Sequence, residues 1–215
     1  QVLVPPRMKQ DVCYWLNAEA VRRGAQGWAA LNTAVEATSL NDRACGRLLA
    51  QDQLIRDHIT EEDVLIVSIG GNDIALQPLL CTIVNIALLV LGTPESMLER
   101  CACAMPVNCG CDCGFLGCGL PGCISGLVGW PLGFGYLVDM FRNRVQNYIC
   151  RLVAHRRPAK VLVCMIYNPD EAATGGWADC SLGCLCYNHC PSRLQCAIRQ
   201  VFRHATSKIR VEGCP

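Results

Sequence analysis

Gly70, Gly71, Asn72 and Asp73 directly follow the run Val64-Leu65-Ile66-Val67-Ser68-Ile69, and residues of these types can hold a carbonyl while charge grows on its oxygen. Asn72 carries an amide able to donate to a developing oxyanion, the two glycines let the backbone pass close to a ligand, and Asp73 can fix a loop by accepting from its amides. The same residues are ordinary turn formers, so their chemistry depends on where the chain holds them. A run of aliphatic and β-branched residues with no alternating polar face predicts a strand buried on both sides, as in a parallel α/β sheet. Ligands bind at the carboxyl edge of such sheets because the strand-to-helix loops diverge there. A second run, Val161 to Tyr167, also ends in a polar loop, Asn168-Pro169-Asp170-Glu171. Two strands are therefore expected to deliver amide and acidic groups to one edge.

The elements that must position these groups follow from periodicity. Val2 to Val4, stopped by Pro5-Pro6, reads as the end of a first strand. Asp11 to Arg23 reads as a helix with Val12, Trp15, Leu16 and Ala20 on one face and Gly24 at its end. Trp28 to Val35 is expected to be a second strand or the approach to one, and Ala44 to Ile59 a helix with Leu48, Ile55 and Ile59 at helical intervals. Asp139 to Arg156 and Pro191 to Ser207 are amphipathic helices by the same pattern, and Lys208 to Val211 reads as the beginning of another strand. Between Leu76 and Val138 the composition changes. Leu79 to Gly92 is almost wholly apolar but falls short of the ~20 residues a membrane-spanning helix needs, and Cys101 to Cys123 has too many glycines for a regular helix.

The 215 residues are 52% hydrophobic, enough for a substantial core. Nineteen basic and 18 acidic residues are spread along the chain, which excludes a basic stripe for nucleic acid and a polybasic run for an anionic membrane. The 18 cysteines point to a secreted or other oxidising compartment. Seven lie between Cys101 and Cys123 and five between Cys180 and Cys196; Cys164, inside an apolar run, reads as a small core residue. Cys184, Cys186, His189 and Cys190 have the ligand types of a tetrahedral zinc site, but no paired Cys-x₂-Cys knuckles occur, so disulfides or packed thiols are the leading expectation and no metal is assigned. His58, His155 and His204 read as surface or packing residues rather than catalytic bases. Cys101 and Cys103 have no neighbour that would activate a thiol.

The Gly-x-Asn-Asp ending of Val64 to Asp73 resembles the third sequence block of the SGNH hydrolases, also called GDSL-type esterases and lipases, and Leu31 to Ser39 is similar to their second block. The resemblance implies a flavodoxin-like three-layer α/β/α sandwich with a parallel central sheet, as one domain over residues 1–215 with a Cys/Gly-rich insertion at about 76–138. It implies Asn72 as an oxyanion-hole donor, with Gly70, Gly71 and Asp73 shaping its loop. The Ala37 backbone amide would be the second donor, where the family usually has glycine. The chain departs from the family elsewhere: no Gly-Asp-Ser tripeptide and no Asp-x-x-His occur in it. No nucleophile or base is thereby identified, and a triad needs both within hydrogen-bond reach. The expectation is an ester hydrolase-like domain that is catalytically incomplete as it stands, taking an acyl ester or carbohydrate ester if active. The alternative is a binding or scaffold subunit whose insertion docks a protein partner. No cofactor is implied.

Overall fold

The computed structural model describes residues 10–76, 80–105, 126–172 and 179–215. The expected strand at Val2 to Val4 and the cysteines from Cys109 to Cys123 lie outside these residues. The chain separates into two compact units, residues 1–35 and 36–215.

In the first unit, helix α1 (Val12–Arg22) starts where the Asp11 side chain accepts from Tyr14 N at 2.8 Å, satisfying one of the free amides of the first turn. Gly24, at φ +63°, follows its end. The strand expected at Trp28 to Val35 does not form. The Asn17 side chain takes both polar groups of Ala30, donating to its carbonyl at 2.9 Å and accepting from its amide at 2.8 Å. Backbone committed to a side chain in this way has no ladder to offer a neighbouring strand.

The second unit is mixed α/β. Strands β1 (Val64–Ser68) and β4 (Lys160–Cys164) pair in parallel, with Val64 opposite Lys160 and Ser68 opposite Cys164. Both strands therefore end at the same edge, as their polar loops predict. Helix α2 (Ala50–His58) precedes β1; between β1 and β4 run α3 (Gly71–Ala75), α4 (Leu80–Gly92), α5 (Glu95–Cys101) and the short antiparallel pair β2 (Cys103–Ala104) and β3 (Gly129–Trp130). Next come α6 (Phe134–Val138), a π turn over Asp139–Arg144, and α7 (Val145–Leu152). After β4 come α8 (Asp179–Cys184) and α9 (Pro191–His204). Among the described residues no single helix is long and apolar enough to cross a membrane.

The described residues correct three expectations. Among the described residues the sheet is covered on one face only: Leu65 and Val67 are buried, whereas Ile66 is 38% and Leu162 44% exposed. Cys164 lies on that open face and is exposed, so it is not a core residue. An apolar run thus alternates in burial because only one side of the described sheet has helices against it. Residues at both ends of the 76–138 stretch contribute to the core. Leu89 of α4, Leu98 of α5 and Phe134 and Val138 of α6 are at most 1% exposed, and α4 packs on α6 and α9. Lys208 to Val211 is not a strand: a 3₁₀ turn covers Thr206–Lys208, and Arg210 N donates to the Gln146 side chain at 3.0 Å, while Ile209 and Val211 still reach the core.

Candidate functional site

At the carboxyl edge of β1 the chain turns through Gly70, at φ +100°, into α3. That conformation is open to glycine and costly to other residues. Space demands glycine as well, since a Cβ at Gly70 would lie 2.7 Å from Phe141 Cε1. The π turn after α6 supplies this contact, holding the Phe141 ring, only 3% exposed, over the strand end.

Asn72 and Asp73 then reach across to residues more than thirty positions earlier. Asn72 Nδ2 donates to Thr38 O at 2.8 Å. Asp73 accepts from Leu40 N at 2.8 Å through Oδ2 and from Asn41 N at 3.1 Å through Oδ1. Sequence reasoning assigned Asp73 to its own loop; the structure uses it to hold the neighbouring one. The Thr38 to Asn41 segment is fixed further by Arg144 Nη2, which donates to Asn41 Oδ1 at 2.7 Å, and by Arg43 Nη1, which donates to Ser39 O at 2.8 Å. Ala37 sits at φ +65°, the left-handed region that a glycine would occupy without strain. Thr38, near the end of the segment that resembles the second hydrolase block, is therefore in direct contact with Asn72 of the segment that resembles the third.

Burial pushes the Asp73 carboxyl above the ordinary carboxylate value, against the pull of the Leu40 amide, the Arg144 charge and the Asn41 amide. A folded-state value raised above the unfolded one means that the native state holds the proton more tightly. This contribution is fully present below pH 3.8, the ordinary value, and is lost as pH rises through the folded value. The stability of wild type relative to Asp73→Asn is therefore expected to fall as pH is raised from about 4. Urea unfolding of both proteins across the acid range checks this, and a pH-independent difference would contradict it.

A cavity of about 310 Å³ opens beside these residues. Its rim and inner walls come from the ends of both parallel strands, including Ser68, Gly70, Gly71, Asn72, Met165 and Tyr167, with Thr38 beside Asn72. Helices α4, α6, α8 and α9 and the π turn close it with apolar side chains. The hydroxyls in the lining belong to Thr38, Ser68, Tyr167 and Ser181, and Ser181 Oγ is committed to Ala75 O at 2.9 Å. Among the described residues, no Asp, Glu, Lys, Arg or His lines the cavity.

Of the residues singled out by sequence, Gly70, Gly71 and Asn72 line the cavity, while Asp73 and Ala37 are not part of its lining. Cys184, Cys186, His189 and Cys190 are all exposed. No three of them bring ligand atoms within 4.8 Å of one another; among the described residues the cluster with that spacing is Glu95, Glu99 and Cys196. Cys101 and Cys103 are exposed free thiols. His155 is solvated beside Asp57, with Nδ1 3.6 Å from Oδ1, and His204 packs edge-on to Phe134 with ring centroids 5.5 Å apart. Thr38 and Phe141 were not identified from sequence as site residues. Thr38 falls within the second block, which was a usable signal; nothing in the sequence pairs Phe141 with Gly70. Comparison with protein-family models, curated proteins and solved structures gave no match.

Proposed function

We propose that this chain is an SGNH-type ester hydrolase-like domain that binds an acyl ester with its carbonyl at Asn72 and, as it stands, holds it without turnover. The flavodoxin-like α/β/α sandwich belongs to the same reading. The observation that carries it is the Asn72 side chain. One amide hydrogen is spent on Thr38 O at 2.8 Å, which orients the group; the other meets no acceptor among the described residues and belongs to a residue on the cavity wall. An amide pre-oriented in this way donates to a carbonyl without reorganising. The described lining supplies no imidazole or carboxylate to activate a hydroxyl, which favours binding over hydrolysis.

Two measurements on the purified chain test the reading. N-methyloctanamide, a stable carbonyl compound, is expected to bind in calorimetry, and Asn72→Ala to weaken it about two- to tenfold, the size of one net hydrogen bond. A fluorophosphonate probe is expected to leave no adduct by intact mass. An adduct on one serine that disappears in Asn72→Ala would show a complete hydrolase and overturn the non-catalytic half. Absence of amide binding to folded protein would overturn the whole.

A further inference from the structure

The cavity divides into two chemically different ends. At its mouth are Ser68 and Tyr167, both exposed, with the Asn72 amide and the Gly70-Gly71 backbone beside them. Its far walls are Ile86 and Val90 of α4, Leu137 of α6 and Val201 of α9, each at most 5% exposed. Polar groups able to fix a ligand are confined to the mouth, and the described lining holds no charged side chain at any depth. A sugar placed in the deep part would bury several hydroxyls without partners, each at a substantial desolvation cost. A charged group would fare worse.

We infer that the cavity is an acyl-chain pocket that takes a straight aliphatic chain of middle length, carbonyl at the mouth and methyl end against Val90 and Val201. This rests on the ester-binding reading above and adds to it the substrate class, an aliphatic rather than a carbohydrate moiety, and a length. The volume of about 310 Å³ equals that of roughly ten waters at ~30 Å³ each. A methylene fills about as much space as a water, so the pocket is filled by on the order of eight to ten carbons.

Affinity should then rise with chain length and stop rising when the pocket is full. Each methylene moved from water to an apolar site tightens binding roughly fourfold. Calorimetric titration of the folded chain with N-methylalkanamides from four to twelve carbons is expected to show that slope, with a break near eight to ten. Leu194, on the cavity-facing side of α9 and only half-buried, gives a variant able to move the break: Leu194→Ala should shift it to longer chains by one to three carbons. Circular dichroism confirms that the variant is folded. If Leu194→Ala does not fold, Leu194→Phe, which should move the break to shorter chains, takes its place.

A flat response from the shortest amide onward, or tighter binding of an acetylated monosaccharide than of N-methyloctanamide, would overturn the inference. A break that stays fixed in the folded Leu194 variant would overturn it as well. The two readings fail separately. A normal chain-length slope unaffected by Asn72→Ala would leave the acyl pocket standing and remove the role of Asn72. A flat response that Asn72→Ala weakens uniformly would keep the carbonyl site and remove the pocket.

Discussion

Replacing Asp52 by alanine is expected to destabilise the protein by about 3–5 kcal/mol, the cost of leaving a buried charge without its counterion. Asp52 is 1% exposed and Arg43 5%. The guanidinium meets the carboxylate through two bonds, Nε to Oδ2 at 2.8 Å and Nη2 to Oδ1 at 2.9 Å. Tyr148 OH donates to Oδ1 at 2.8 Å and Leu49 N to Oδ2 at 2.9 Å. Alanine would strand all of these donors, and Arg43, whose Cζ lies 5.0 Å above the Tyr148 ring, has no second carboxylate within ion-pair reach among the described residues. Burial pushes the Tyr148 hydroxyl far above the ordinary phenol value, so it remains a proton donor to Asp52 across the range in which the protein is handled.

For a chain of this length the loss corresponds to a fall in Tm of about 10 °C, read by thermal unfolding. The same arginine fixes the Thr38 segment through Ser39 O, so amide binding should weaken in Asp52→Ala even at temperatures where the variant is folded. Replacing both charged partners by leucine should recover part of the stability, because an apolar pair has no charge to desolvate. A drop below about 1 kcal/mol in Asp52→Ala would mean that water reaches Arg43 and that the cluster is not the buried tie described above.

Much of the site edge was legible in the chain. The apolar runs before Gly70 and Asn168 identified two parallel strands, and the glycines marked where the backbone leaves the sheet. Burial was not legible in the same runs. Val64 to Ser68 has the same composition whether helices cover one face or two, and the exposure of Ile66 marks the face left open among the described residues. Trp28 to Val35 has strand-like composition, but Asn17 claims the Ala30 amide and carbonyl, a contact no local pattern reveals. The apolar stretch in α4 was read as too short to span a membrane, but nothing local to it showed that Ile86, Leu89 and Val90 would be core. Periodicity named Leu194, Ile198 and Val201 as one face of a helix, and that face does turn inward; that it also walls a cavity depends on what stands opposite. Asp73 was readable as a loop-fixing carboxylate, but which loop it fixes is a long-range fact.

Gly70→Ala and Gly71→Ala are expected to differ sharply although the residues are adjacent. At Gly70, alanine must adopt φ +100°, a left-handed conformation that costs a residue with a Cβ about 1–2 kcal/mol. Its Cβ would also meet Phe141 Cε1 at 2.7 Å and Cζ at 3.3 Å. Phe141 is 3% exposed, so its ring is not a free side-chain end that swings aside, and forcing it to shift adds about 1–3 kcal/mol. At Gly71 the nearest atom to an added Cβ is Ile166 Cγ2 at 3.7 Å, ordinary van der Waals contact, and the residue is the first of helix α3. Gly71→Ala should therefore stay within about 0.5 kcal/mol of wild type, as substitutions without a named strain usually do. Because Phe141 lines the cavity, its displacement in Gly70→Ala should narrow the pocket and weaken long N-methylalkanamides more than short ones. Adding Phe141→Leu to Gly70→Ala separates the two costs: the ring collision is relieved and the backbone strain remains, so the second substitution should be less harmful in the Gly70→Ala background than in wild type. Purely additive losses in that double-mutant cycle would show that Phe141 does not press on the strand end, and equal losses for the two glycine variants would remove the case that Gly70 is held by both its φ and its neighbour.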